Sequence, residues 1–308
     1  MKVCAMFRDA FGLRTDPFLD TADPSFYYET LACAHGKRRL SDCLSLGQGL
    51  AVVVGAIGAG KTALLNAVQD TLLASDRNMV ASILDPSFED ESALLDGICA
   101  AFGFPATAAT ARAAKDELKR SLFATSADPE RQAVLFIDEG QLLQPPALEC
   151  LRSLLNYQLD DRKLLSVVIA GQPELAVNLQ AQLNLSDRIA LLLHLQPLTE
   201  SDAAALLQHR LRKAGYSRPD PPFDPDAAAL LWRLSGGLPR RLTYLARESM
   251  EDAAQSGRDR VAVRDVETAD ARSLARIAPV PAPSLAHSHA EHTQRSARPW
   301  WAFWQKAS

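Results

Sequence analysis

The sequence predicts an α/β fold: a parallel five-stranded sheet wrapped by helices, followed by a small all-helical domain. Three observations predict it. Apolar runs of strand length recur, a glycine-rich stretch directly follows the first of them, and strand patterning stops near residue 198 while helical patterning continues.

The runs are "LAVVVG" from Leu50, "MVASILD" from Met79, "AVLFID" from Ala133, "LLSVVIAG" from Leu164 and "IALLLHLQPL" from Ile189. Their hydrophobicity is continuous rather than alternating, which is the mark of strands covered on both faces. Amphipathic segments of helix length separate them. Past Thr199, "ESDAAALLQHRLRKAG" reads as a helix capped at Thr199 or Ser201 and stopped at Gly215. A second helix is expected within "PPFDPDAAALLWRLSGG" and a third through "RRLTYLARESMEDAAQSG". The predicted units are residues 1–198, 199–276, a disordered linker at 277–299 rich in Pro, Ala, Ser and His, and an aromatic tail at 300–308.

A chain of 308 residues has room for two folded units, and 47% apolar with 23% charged residues is the composition of a globular protein. The net charge of -4 gives no support to a chain-wide nucleic-acid footprint and leaves a local basic patch open. Five cysteines (Cys4, Cys33, Cys43, Cys99, Cys150) are scattered without a C-x-x-C pair, so a zinc knuckle is not expected and the thiols read as reduced and mostly buried. No run approaches the roughly 20 apolar residues of a membrane span, and "MKVCAMFRDAFGLR" lacks an export core. The expectation is a cytoplasmic protein.

"GAIGAGKT" fits G-x-x-x-x-G-K-[ST], lying between a strand and a helix as that phosphate-binding loop requires. Residues Gly55, Ala56, Ile57, Gly58, Ala59, Gly60, Lys61, Thr62 and Ala63 are therefore the expected cradle. Backbone N–H groups and a helix N-terminus face phosphate, Lys61 adds charge at the β/γ oxygens, and the Thr62 hydroxyl suits Mg²⁺. Downstream, "AVLFIDEGQ" ends an apolar strand in two carboxylates. Asp138 is expected to organise Mg²⁺ and Glu139 to polarise the attacking water, which favours hydrolysis over a non-hydrolysing switch. The competing reading of "DE" is a helix cap with an acidic first turn.

These stretches, with the lead-in "FGLRTDPFLDTADPSFYY", "LFIDEGQLL", "VVIAGQPEL", "LSDRIALLLHLQPLT" and "SGGLPRRL", resemble the AAA+ P-loop ATPases of the general secretion pathway protein A family over about residues 7–276. Pilus-biogenesis and transposition helper ATPases are related to that family. The resemblance implies ATP with Mg²⁺, an αβα core with a helical lid, and three further roles. Gln172 is the polar sensor candidate, Arg188 an arginine of the kind that reaches nucleotide, often across a subunit boundary, and Arg240, with Arg241 next, the second sensor. Read as residues alone, Gln172 is also a turn polar group and Arg188 a surface ion-pair partner. Gly140 stands where the family more often has Ala, and is expected to weaken the start of the following helix.

The resemblance implies self-association and a protein partner, an inner-membrane secretion component, with turnover driving assembly or remodelling of a type II secretion or related envelope complex. The chain would then sit at the cytoplasmic side, at most peripheral to the inner membrane. Founding members continue into a transmembrane helix and a peptidoglycan-binding region, so this sequence reads as a truncated or stand-alone version. The alternative role is an ATP-dependent, DNA-binding transposition helper. "RPWWAFWQKAS" admits three readings: membrane-surface contact, a partner-docking peptide, or no role. "HSHAEH" (His287, His289, His292) reads as solvated linker against a metal site, and "HGKRR" as a solvated helix face against a DNA patch.

Overall fold

The computed structural model describes residues 2–19, 24–105, 110–126, 128, 131–159 and 162–277. The linker from residue 278, its histidines and the aromatic tail lie outside them.

The first part of the chain runs α1 (Lys2–Phe11), a 3-10 turn (Pro24–Phe26), α2 (Leu31–Ser45), β1 (Leu50–Val54), α3 (Lys61–Leu73), β2 (Asn78–Ile83), α4 (Glu91–Phe102) and α5 (Ala111–Thr125). Next come β3 (Gln132–Ile137), a 3-10 turn (Gly140–Leu142), α6 (Pro145–Leu154), β4 (Gln158–Leu159), β5 (Arg162–Lys163), β6 (Leu165–Gly171), α7 (Pro173–Gln180), α8 (Leu183–Ser186) and β7 (Ile189–His194). The helical part is α9 (Glu200–Lys213), α10 (Pro225–Ser235), α11 (Pro239–Gln255) and α12 (Val263–Ile277).

All five predicted strands form one parallel sheet in the order β2-β3-β6-β1-β7. Alternate residues of the central strands serve opposite cores. Val52, Leu135 and Val167 pack toward α4, α5 and α6, whereas Val53, Phe136 and Val168 pack toward α2 and α3. Two covered faces explain why these runs carry no alternation. The edge strand β7 does alternate, with Leu192 partly exposed between buried Leu191 and Leu193. A short antiparallel ribbon, β4 with β5, escaped the sequence reading because two-residue strands of Gln, Leu, Arg and Lys carry no hydrophobic pattern.

Thr199 caps α9, its hydroxyl accepting from the N–H of Asp202 at 3.1 Å, and Gly236 ends α10 in a left-handed conformation. The helix α12 was not singled out by sequence; its apolar face meets α10 and α11 through Val266 and Ala269.

The lead-in departs from expectation. Sequence grouped it with the sheet, yet buried Phe7, Phe11, Leu13 and Phe18 join the core of the helical part, beside Leu231, Leu242 and Leu245. Polar contacts seal the junction. Arg247 of α11 pairs with Asp16 at 2.7 Å, Arg218 donates to the Ala10 carbonyl at 2.9 Å, and the Arg14 N–H to that of Ala214 at 2.7 Å. The physical reason is that α9 to α12 leave an apolar face that the sheet does not reach. "HGKRR" lies on α2, where Lys37 pairs with Glu29 at 3.2 Å and exposed Arg38 approaches Asp42 at 4.0 Å, as a solvated helix face should. Of the cysteines, Cys43, Cys99 and Cys150 are buried and Cys33 half-buried, all as free thiols.

Phe11→Ala is expected to lower stability by about 3–5 kcal/mol through the cavity it leaves in the helical core. Urea unfolding checks this, and an unchanged midpoint would detach the lead-in from that core.

Candidate functional site

Because β1, β6 and β3 are adjacent and parallel, their C-terminal ends open on one edge of the sheet. The loop from Gly55 leaves β1 there and ends at Gly60, whose left-handed φ of 96° precedes the first turn of α3. Lys61 begins that helix and folds back, donating from Nζ to the carbonyls of Gly55 at 2.9 Å and Ala56 at 3.1 Å. It is 7% exposed. Burial pushes its ammonium below the usual lysine range, and the carboxylates of Glu139 and Asp138 oppose that shift.

One residue on, the Thr62 hydroxyl donates to Asp138 Oδ2 at 2.5 Å, joining the loop to the end of β3. Asp138 is buried, and its other oxygen accepts from the N–H of Glu139 at 2.9 Å. A hydroxyl and a carboxylate side by side form a hard-oxygen donor pair, which fits Mg²⁺.

Glu139 has φ 50° and ψ 37°, and among the described residues it alone, glycines aside, has positive φ. Such a conformation costs roughly 1–3 kcal/mol and needs its surroundings to hold it. The 3-10 turn does so: the Leu142 N–H donates to the Glu139 carbonyl at 2.9 Å and the Leu143 N–H to that of Gly140 at 3.1 Å. The reading of "DE" as a helix cap with an acidic first turn is corrected accordingly: Glu139 precedes the 3-10 turn without a side-chain cap bond, that turn holds no acidic residue, and α6 starts only at Pro145. The expectation for Gly140 is corrected too. A Cβ there would stand 2.3 Å from Ile169 Cγ2 and 3.1 Å from the Ala170 carbonyl oxygen, so the glycine is a packing requirement of the β3–β6 junction.

A cleft of about 510 Å³ gathers Ile57, Gly58, Gly60, Lys61, Thr62, Ala63, Glu139, Gln172 and Arg240. Of the residues brought by resemblance, Gln172 therefore faces the loop from the end of β6, and Arg240 from the start of α11. The Arg240 N–H also donates to the Gly58 carbonyl at 3.3 Å, so the helical part touches the loop directly. Arg241 points elsewhere, pairing with Asp270 of α12 at 3.1 Å. Arg188 is half-buried in the turn between α8 and β7, is not among the residues lining this cleft, and forms no ion pair among the described residues.

Two features escaped sequence reasoning. A second cavity of about 420 Å³ shares Gly60, Ala63, Leu206, Arg210 and Pro239 with the first and extends over Phe26, Tyr27, Tyr28, Leu195 and Leu198. Its available signal was the aromatic run "FYY" in the lead-in. Burial raises the Tyr27 phenol above the usual tyrosine range, and its hydroxyl is buried with no hydrogen-bond partner among the described residues. The second feature is Gln141, whose Nε2 donates to Glu139 Oε2 at 2.5 Å.

Gly140→Ala is expected to destabilise the fold by about 1–3 kcal/mol, since Ile169 and the backbone of β6 must shift. Chemical denaturation checks it, and a stability equal to the parent's would contradict the packing account.

The AAA domain family matches residues 45–179. General secretion pathway protein A of Aeromonas hydrophila is 34% identical over 267 residues, which is 86% of this chain and 48% of that protein, so the chain spans about half of its relative's length. Among solved structures, the ORC2 protein of Aeropyrum pernix superposes with a TM-score of 0.60 at 19% identity, covering 81% of this chain and 71% of that one. Drosophila ORC bound to DNA gives 0.66 at 20%, covering 87% and 66%. At such identities these two speak for the fold alone. Together with the parallel sheet and the loop at its edge, the matches show that residues 45–179 are an AAA domain on the AAA+ P-loop fold and that the chain is similar to general secretion pathway protein A over 86% of its own length.

Proposed function

We propose that this chain binds ATP in the cleft around residues 55–63 and hydrolyses it with Mg²⁺. The observation that carries the reading is the contact of Thr62 Oγ1 with Asp138 Oδ2 at 2.5 Å, beside a cleft that Lys61 and Glu139 both line. Thr62 and Asp138 would hold Mg²⁺, which when bound supplies charge neutralisation at the β/γ oxygens.

In this reading Lys61 exchanges the Gly55 and Ala56 carbonyls for phosphate oxygens, while the loop N–H groups and the N-terminus of α3 hold the β-phosphate. Glu139 accepts a proton from water as the water oxygen bonds the γ-phosphorus. The bridging P–O bond breaks, and its electron pair leaves on the β-phosphate of ADP. Arg240 and Gln172 meet the γ-phosphate side, and Arg188 of a neighbouring copy completes the charge compensation. The second cavity is the proposed seat of the base, its aromatic and aliphatic wall suited to a purine face.

For the biological role, the proposal is assembly or remodelling of a type II secretion or related envelope complex, through self-association and an inner-membrane partner; the relative's name supports a place in a general secretion pathway. Among the described residues no helix is long and apolar enough to cross a membrane. Contact with that membrane is proposed to run through the partner or the C-terminal tail.

Purified protein should release phosphate from ATP, and EDTA should abolish the release. Glu139→Gln should lower kcat by about 10²- to 10⁴-fold while still binding ATP; undiminished turnover would remove Glu139 from the chemistry. For the role, light scattering should show ATP-dependent self-association and pull-down should recover an envelope component. Turnover stimulated by DNA with steep salt dependence would instead assign the chain to the transposition-helper class.

A further inference from the structure

We propose that Gln141 is the positioning residue of the general base, and that it ties Glu139 to the end of β6. The inference rests on the reading of Glu139 as that base.

Gln141 reaches two strand ends with one amide. Its Nε2 donates to Glu139 Oε2 at 2.5 Å, and its Oε1 accepts from the backbone N–H of Gln172 at 3.0 Å. The orientation of the amide follows from chemistry. A backbone N–H can only donate and a carboxylate can only accept, so the oxygen must face Gln172 and the nitrogen Glu139. A flipped amide would lose both bonds.

The surroundings are shaped for this bridge. A Cβ at Gly171 would stand 2.9 Å from Gln141 Oε1 and 2.8 Å from Leu175 Cδ2, so the amide approaches β6 where a side chain would block it. Gly140, close-packed on Ile169, keeps the turn carrying Gln141 against that strand. Glu139 itself sits in a left-handed backbone conformation, and the Gln141 amide hydrogen-bonds its carboxylate. The Gln141 bond engages one carboxylate oxygen, and the other is left to take the water's proton. A base held by a third group is the arrangement that makes general-base catalysis efficient.

The same bond gives the γ-phosphate side a route to the base. Gln172 lines the cleft, and its own N–H holds the far end of the Gln141 amide. A displacement of the β6 end on nucleotide binding therefore moves the group that aims Glu139.

The test is Gln141→Met, which keeps the length of the side chain and removes both hydrogen bonds. Steady-state phosphate release should show kcat lower by about 10- to 100-fold. KM for ATP, and the affinity for a non-hydrolysable ATP analogue, should stay within about threefold. Unchanged kcat would overturn the proposal, and so would a loss of analogue binding that matches the loss of turnover, which would make Gln141 a structural prop. Glu139→Gln assayed in parallel separates the failures. Turnover kept there overturns the base itself, whereas turnover lost there and kept in Gln141→Met overturns only the positioning role.

Discussion

The structure depends on one constraint: β6 lies between β3 and β1 in a parallel sheet, so three strand ends meet on a single edge. β1 delivers the phosphate loop, β3 the two carboxylates and β6 the polar end at Gln172. A backbone bond joins the ends of β1 and β6, the Gly55 N–H donating to the Gly171 carbonyl at 3.2 Å, and the end of β3 is held from its other side by β2, the Asp138 N–H donating to the Ile83 carbonyl at 2.9 Å. Side chains then connect what the backbone aligns. Thr62 links the loop to Asp138, and Gln141 links Glu139 to β6. Moving any one of these strand ends disturbs the other two.

The helical part is coupled to this edge through α11. Its first residues touch the loop, with the Arg240 N–H on the Gly58 carbonyl, while farther along the same helix Arg247 holds Asp16 of the lead-in. The lead-in in turn supplies Phe26, Tyr27 and Tyr28 to the second cavity. A rotation of α11 would therefore be felt at both the phosphate cradle and the aromatic wall. Under the proposed ATPase reading this is a short path from the phosphate cradle to the helical part.

Much of this was legible in the sequence, and what was not has physical reasons. The five strands could be read because both of their faces are buried, and the loop because its glycines and Lys61 have fixed spacing. Thr199 and Gly215 marked the two ends of α9 by local chemistry. The lead-in was misassigned because its partners lie about 200 residues away in the chain, where periodicity carries no information; Asp16 finds Arg247 only in the folded state. Gly140 was read by helix propensity, yet its neighbour Ile169 lies on another strand, and the steric demand exists only between them. Gln141 stood in the quoted motif, but its two partners are Glu139, near in sequence, and Gln172, 31 residues on.

The central claim is that the converging strand ends form one hydrolytic site. A crystal structure with Mg²⁺ and a non-hydrolysable ATP analogue tests it most directly. The account predicts phosphates on the backbone of residues 55–62 and the metal against Thr62 and Asp138. It also predicts a water in line with the γ-phosphorus within about 3 Å of the Glu139 carboxylate. Phosphates bound elsewhere, or Glu139 turned out of the cleft with no water in its reach, would contradict it.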